Sequence, residues 1–255
     1  MSINELPIID THLHLDLYSD PDKILEQASG LQIGIVAVTN APFLYKNCKK
    51  LCEKYPFAWP SIGLHPELVS QYYFQLDQFY NLMDLTPLIG EIGLDYSKRD
   101  KRQQILQRKV FEKILSKCAD KKNKVLSVHS RNAAKDVIEM IGKNYPNTII
   151  MHWYSGPIKY LEEAINNGLY FSLNIAMTKT KRGKNIIRAI PLQRILLETD
   201  GPFIKNEGEP VSPRSIQNAL YSIAKIKGIN KEEIYARILR NGQEIFGSKI
   251  KEFKK

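Results

Sequence analysis

Leu6-Pro7-Ile8-Ile9-Asp10-Thr11-His12-Leu13-His14 is a hydrophobic run closed by two histidines. Leu6 to Ile9 reads as a buried strand. In the extended chain that follows, His12 and His14 alternate with Leu13 and Leu15. That alternation puts both imidazoles on one face, about 7 Å apart along the backbone. Paired neutral imidazoles at a strand end suit a divalent cation. Taken alone, the pair is equally well explained as one surface and one core histidine. The choice rests on what the rest of the chain delivers.

Outward from this stretch, strand-like apolar runs alternate with amphipathic helical segments. Further strands are expected at Gly34–Val38, Ala58–Leu64, Pro87–Glu91, Val125–Val128, Thr148–Met151, Leu169–Leu173 and Arg194–Glu198. Helices are expected at Asp20–Ala28, Pro42–Lys54, Pro66–Met83, Lys101–Asp120, Asn132–Gly142, Ile158–Asn166 and Lys184–Ala189, with two more at Pro213–Lys227 and Lys231–Ile245. Eight nearly continuous apolar strands, each followed by a helix and with no linker between, predict one α/β domain over residues 1–255. Its architecture is a single (β/α)8 TIM barrel, with a C-terminal helix and a short basic tail. A doubly wound open sheet is the alternative. No internal repeat and no Gly-rich phosphate loop is present.

The chain has five histidines, His12, His14, His65, His129 and His152, and each ends an expected strand. Glu91 and Asp200 close two further strands in the same way. Strand ends hold only a small share of residues, so chance does not place all seven there. In a barrel these ends converge on one face, where active sites are built. The donor set predicts a dinuclear site: His12, His14 and Asp200 on one ion, His129 and His152 on the other, and Glu91 as the bridge. Imidazole with carboxylate accepts Zn, Mn, Mg or Fe, and only a carboxylate joins two ions. Two such ions about 3.5–4 Å apart lower the pKa of a shared water and stabilise attacking and leaving oxygens.

Composition bounds the partners. Lys and Arg exceed Asp and Glu by ten, and the pI is near 9.3, which favours a polyanion such as nucleic acid. Cys48, Cys52 and Cys118 are too few for a disulfide framework and read as small buried apolar residues. The start of the chain lacks the pattern of a signal peptide, and no apolar run reaches the ~20 residues of a membrane span. The expectation is a soluble, cytoplasmic protein without a membrane partner.

Six ordered motifs carry a family resemblance: Asp10-Thr-His-Leu-His-Leu-Asp16, Gly63-Leu-His-Pro66, Gly90-Glu-Ile-Gly-Leu-Asp-Tyr96, His129-Ser-Arg131, His152-Trp-Tyr-Ser-Gly156 and Glu198-Thr-Asp-Gly-Pro-Phe203. With Asn241 and Phe246, they resemble the TatD family of metal-dependent deoxyribonucleases essentially end to end. The resemblance implies a (β/α)8 barrel, two divalent ions and phosphodiester hydrolysis, typically 3′-to-5′ on DNA and sometimes RNA. It implies the same six ligands that position suggests, and it gives His65 a contact to substrate phosphate or leaving group instead of a metal. The chain departs from the pattern at Glu67, where the family usually has a second His. It departs again at Gly201, where Ala is usual, and in the short segment between Phe203 and Ser215. Leu15–Pro21, His152-Trp153 and Thr199–Pro202 look most like the TatD-like nuclease (QatD) of the Qat anti-phage defence system. That branch implies other Qat proteins as partners.

Charge and aromatic residues near the expected metal face supply the substrate candidates. Arg131 follows strand five, and Lys179, Lys181, Arg182 and Lys184 follow strand seven. Lys98, Arg99, Lys101 and Arg102 follow strand four. All could track a phosphate backbone. Lys121, Lys122 and Lys124 precede strand five and read as solvated, and Lys249, Lys251, Lys254 and Lys255 as a frayed tail. Tyr96, Trp153, Tyr154 and Phe203 are the stacking candidates, with burial the competing reading, above all for Phe203. Asp95 and Ser130 are expected to support the ligands through hydrogen bonds. Asp200 is expected to double as ligand and general base, with Glu91 and His65 completing the catalytic set. Two rivals stand beside the nuclease reading: an amide or ester hydrolase on the same barrel, and a non-catalytic nucleic-acid-binding subunit of a defence complex.

Overall fold

The computed structural model describes residues 6–206 and 208–252. Eight parallel strands form the centre: β1 (Ile8–Leu13), β2 (Ile33–Ala37), β3 (Ala58–Pro60), β4 (Leu88–Gly93), β5 (Val125–His129), β6 (Thr148–His152), β7 (Tyr170–Leu173) and β8 (Ile195–Leu197). They pair in the order β3-β2-β1-β8-β7-β6-β5-β4. The remaining seam is closed beyond β3 by a parallel bridge from Ile62 to Ile89. There Ile62 N–H donates to Leu88 O at 3.1 Å and Gly90 N–H to Ile62 O at 2.8 Å. The expected single barrel is therefore the fold, and the open sheet is excluded.

Outward-facing strand residues such as Ile8, Ile35, Ile89, Leu126, Met151 and Leu197 join the helices in one continuous core. A smaller cluster fills the bottom of the barrel: Ile9, Val36, Trp59, Leu88, Val125, Ile150 and Leu196 point inward and meet Ile245, Phe246 and Ile250. Those last three belong to the final helix, which runs beyond the expected Ile245 to Glu252.

Two strands carry one extra residue each. Between Asp10 and Leu13, β1 advances three residues while β2 advances two, from Ile35 to Ala37. Between Ile89 and Ile92, β4 advances three while β5 advances two, from Leu126 to Val128. A bulge of this kind switches which face a strand presents and re-aims a side chain. Ile9 and Leu88 point into the barrel, so regular alternation would turn His12 and Glu91 outward. The bulges turn both inward and leave Leu13 and Ile92 in the outer core.

The helices are α1 (Pro21–Gly30), α2 (Tyr45–Cys52), α3 (Val69–Tyr72), α4 (Leu76–Met83), α5 (Lys101–Ala119), α6 (Ala134–Ile141), α7 (Ile158–Asn166), α8 (Ile175–Lys179), α9 (Lys181–Ala189), α10 (Ser215–Lys227) and α11 (Lys231–Glu252). Asp20 caps α1 by accepting from Lys23 N–H at 3.0 Å, ahead of Pro21. The single helix expected over Pro66–Met83 is broken into 3₁₀ turns at Pro66–Leu68 and Tyr73–Gln75 around α3 and α4. Helical spacing from Val69 predicts a buried residue at 73, yet Tyr73 is half exposed, so no unbroken apolar stripe exists to hold one helix together. After β7 the chain forms α8, capped by Asn174, before α9, capped by Thr180. Sequence periodicity registers only the second half of that pair. The short segment after Phe203 is a two-stranded ribbon, β9 (Lys205–Asn206) with β10 (Glu209–Pro210).

Two lysine readings are corrected by burial. Lys124 is buried and donates to the carbonyls of Met83 at 2.5 Å and Thr86 at 2.8 Å. Lys249 is half-buried within α11 and donates to Ile245 O at 3.0 Å, so it is no frayed tail. Lys254 and Lys255 lie outside the described residues, as do Met1 to Glu5. Gly201 also finds its reason here. The Tyr18 hydroxyl donates to Val211 O at 2.5 Å, in the space that a Cβ on residue 201 would fill. Among the described residues no helix is long and apolar enough to cross a membrane.

Candidate metal centre

The six expected ligands converge at the C-terminal end of the barrel. His12 Nε2 and His14 Nε2 lie 3.2 Å apart. Glu91 Oε2 stands 3.4 and 3.3 Å from them, and Asp200 Oδ1 stands 3.8 and 3.5 Å from them. The other oxygen of the same carboxylate, Glu91 Oε1, faces His129 Nδ1 at 2.7 Å, His152 Nε2 at 3.2 Å and His65 Nε2 at 3.5 Å. Glu91 thus sits between two sets of imidazoles, as a bridging carboxylate requires.

Three overlapping groups have donor atoms close enough to hold a cation: His12, His14 and Asp200; His12, Glu91 and His152; His65, Glu91 and His129. The first reproduces a set expected from sequence. The other two distribute His152 and His129 differently, and they draw in His65, which the sequence reading kept off the metal. The donor set fits divalent ions. Two buried imidazole nitrogens at 3.2 Å, both aimed at carboxylate oxygens, repel unless a proton or a cation lies between them. His14 Nδ1 is also buried without a hydrogen-bond partner among the described residues.

Electrostatics show how the cluster shares its protons. Burial pushes Glu91 up, but the imidazoles of His65, His12 and His152 outweigh it and hold the carboxylate well below its ordinary range. Burial likewise raises Asp200, and the hydrogen bond from His14 with the charges of His152 and His12 brings it below normal. Burial lowers His14, while Asp200 and Glu91 raise it to about 9. His152 is raised well above normal by Glu198 and Glu91 in spite of burial. His12 is lowered by burial and by His152. A cation among these groups would supply the positive charge that Glu91 and Asp200 draw from the imidazoles.

An outer layer orients these ligands, and much of it is not apparent from sequence. Ser127 Oγ meets His12 Nδ1 at 2.7 Å. Asp95 Oδ2 meets His129 Nε2 at 2.7 Å, and the Asp95 carboxylate accepts Ser97 N–H at 2.7 Å, in keeping with its expected supporting role. Glu198 accepts from Trp153 N–H at 3.1 Å, Asn174 Nδ2 at 2.9 Å and the Ser172 hydroxyl, and faces His152 Nδ1 at 3.2 Å. Asp10 accepts the Thr199 N–H at 2.9 Å and the Thr199 hydroxyl at 2.6 Å, clasping β1 to the end of β8. Asp10 and Glu198 lie inside the quoted motifs. Their signal is an acidic residue within or just past a buried strand, with no metal role required of it.

Above the cluster opens a cavity of about 570 Å³, walled by His14, His65, Glu91, His129, His152 and Asp200 and rimmed by Asn40, Glu67, Leu68, Arg131, Trp153 and Phe203. Arg131 is exposed on this rim. Lys179, Lys181 and Arg182 are exposed on α8 and α9 but do not line the cavity, and Lys179 is tied to Asn206 Oδ1 at 2.7 Å. Tyr154 is not on the surface: it is fully buried against Phe171, and its hydroxyl donates to Pro157 O at 2.7 Å. Phe203, expected in the core, is 59% exposed and stands edge-on to His14 with centroids 4.9 Å apart. Tyr96 is half-buried and bonded to Asp136 at 2.9 Å, which leaves Trp153 and Phe203 as the aromatic rim.

A (β/α)8 barrel with buried imidazoles and carboxylates gathered at its strand ends defines a metal-dependent hydrolase. This chain belongs to the TatD family: its match to the family described as TatD related DNase runs over residues 9–247. It is 26% identical over 264 residues to a human protein named Deoxyribonuclease TATDN3, covering 94% of each chain. It is 26% identical over 254 residues to YabD of Bacillus subtilis, an uncharacterized metal-dependent hydrolase, covering 94% of this chain and 98% of that one. The crystal structure of YJJV, a TATD homolog from Escherichia coli k12, shares the fold at a TM-score of 0.86 with 23% identity. That likeness covers 94% of this chain and 98% of that one.

Proposed function

We propose that this chain hydrolyses phosphodiester bonds of DNA, removing nucleotides from the 3′ ends of single strands, and that it serves anti-phage defence together with other Qat proteins. The observation that carries the hydrolytic reading is Glu91, whose two oxygens face two separate imidazole sets at the floor of an open cavity. Relatives named as deoxyribonucleases support DNA as the substrate. The defence role rests on the motif likeness around Leu15–Pro21 and Thr199–Pro202.

His12, His14 and Asp200 would hold one ion and His129 and His152 the other, with Glu91 shared between the two. Divalent ions supply Lewis-acid polarisation of a phosphoryl oxygen and lower the pKa of water. The chain's own groups do the rest. Arg131 on the rim binds a phosphate next to the scissile one. His65, at the cavity wall, donates a hydrogen bond to a phosphoryl or leaving oxygen. Asp200, kept ionised by its imidazole neighbours, takes the proton of the attacking water. Trp153 and Phe203 narrow the mouth and favour an unpaired strand over a duplex.

The test is cleavage of end-labelled single-stranded DNA, duplex DNA and RNA in Mg, Mn, Zn or Fe(II), with Asp200→Asn alongside. The expected result is 3′ shortening of single-stranded DNA that falls at least about 100-fold in Asp200→Asn, with the fold retained by circular dichroism. Near-normal cleavage by that variant would sink the assignment. Phage plaquing on cells carrying either form tests the defence role, and equal protection by both rejects a catalytic contribution to it.

A further inference from the structure

Phe43 is 44% exposed and Phe74 69%, and the ring of half-buried Tyr72 meets both. Phe43 and Tyr72 have ring centroids 5.2 Å apart and Tyr72 and Phe74 6.4 Å apart, all mutually tilted. The three rings make one aromatic strip, open at Phe43 and Phe74 and seated on the core through Tyr72.

Its position ties it to the cavity. Phe43 lies three residues beyond Asn40 on the loop after β2, so the two Cα atoms are at most about 11 Å apart. Tyr72 and Phe74 follow His65, Glu67 and Leu68, which lie on the segment after β3 and line the same cavity. His65 N–H donates to Asn40 O at 2.9 Å, locking the two loops together at the rim. The strip thus stands on the two segments that also supply one side of the cavity rim.

Lysines flank it at the Phe43 end. On α2 the buried residues are Tyr45, Cys48 and Cys52, and the opposite side carries Lys46, Asn47 and Lys50, all exposed. These stand three, four and seven residues after Phe43, which lies in the 3₁₀ turn Pro42–Leu44 leading directly into α2. Flat exposed rings beside ammonium groups are what an unpaired polynucleotide uses: bases stack on rings, and phosphates meet the cations. A protein partner would cover such rings with apolar side chains, and the flanking lysines would then go unmatched.

We infer that Phe43, Tyr72 and Phe74 form a stacking platform for unpaired bases of the strand whose end lies in the cavity, with Lys46 and Lys50 alongside its phosphates. This deepens the nuclease reading and rests on it for the strand end, but the platform is testable without catalysis. Binding of a fluorescent single-stranded thymidine oligonucleotide and of a duplex is measured by anisotropy in EDTA, for wild type, Phe43→Ala/Phe74→Ala and Phe74→Trp. Hydrolysis of bis(p-nitrophenyl) phosphate, too small to reach the platform, is measured in parallel with divalent ions present. Single-strand binding is expected to weaken about tenfold or more in the double alanine variant and to persist in Phe74→Trp, with small-substrate hydrolysis unchanged. No single-strand binding by wild type, or equal binding by the double variant, overturns the platform and leaves the strip to a protein partner. An equal loss for the duplex overturns it too. If wild type fails on the small phosphodiester, the catalytic reading falls, and the EDTA arm still decides the platform.

Discussion

Among the proposed ligands, His129 is held from both sides. Its two nitrogens each lie 2.7 Å from a carboxylate, Glu91 on one side and Asp95 on the other. Asp95 is itself fixed by Ser97 N–H, and its own N–H donates to Gln107 at 2.9 Å. Outer carboxylates of this kind set the orientation and basicity of a ligating imidazole. Asp95→Ala is expected to weaken retention of a divalent ion by about 10- to 100-fold while sparing the fold. Titration with Mn followed by electron paramagnetic resonance measures this, and unchanged affinity rejects the positioning role. At this scale the candidate ligands are legible in the sequence, because His12, His14, His129 and His152 stand at or next to strand ends; His65, expected to end a strand, lies instead on the loop five residues beyond β3. The aromatic neighbours are not legible. Tyr154 and Phe203 each stand within three residues of a ligand, and the fold sends one inward and the other outward. The Tyr154 hydroxyl finds Pro157 three residues on, which lets its ring sink against Phe171. Phe203 follows Asp200, whose φ of +50° turns the chain back over His14.

Among elements, β1 and β4 decide where the chemistry falls. Both are buried on each side, so both faces read as apolar and an odd step between Ile9 and His12 leaves no mark in hydropathy. Strand identity is therefore readable and the bulges are not, although they aim His12 and Glu91 into the barrel. Gly63 guards the second bulge. A Cβ there would overlap Thr39 O and the backbone nitrogen of Glu91, where Glu91 N–H donates to Thr39 O at 3.1 Å. Gly63→Ala is expected to cost about 1–3 kcal/mol through overpacking and to displace Glu91, so activity falls further than stability. Urea unfolding and initial rates on the same preparation separate the two effects. Full activity in that variant would refute the constraint.

For the whole molecule, a buried cluster of imidazoles and carboxylates couples cation binding to folding. A cation at about 100 times its dissociation constant adds roughly 2.7 kcal/mol to the folded state. For a chain of this size, that corresponds to a Tm increase of roughly 5–10 °C. Scanning calorimetry with Mn or Zn, reversed by EDTA, checks the increase, and a Tm indifferent to both would argue that these side chains hold no ion. The alternation of strand and helix makes the barrel legible from sequence. The seal at its base does not show, because Ile245, Phe246 and Ile250 carry the ordinary spacing of a surface helix. Closure at the top spans most of the chain: Thr11 Oγ1 donates to Leu197 O across 186 residues, beside the Asp10–Thr199 clasp. During synthesis, then, His12 and His14 leave the ribosome early and wait for Asp200. A partly made chain carries only fragments of the centre, and the hydrolase is armed only after β8 has been translated and has found β1.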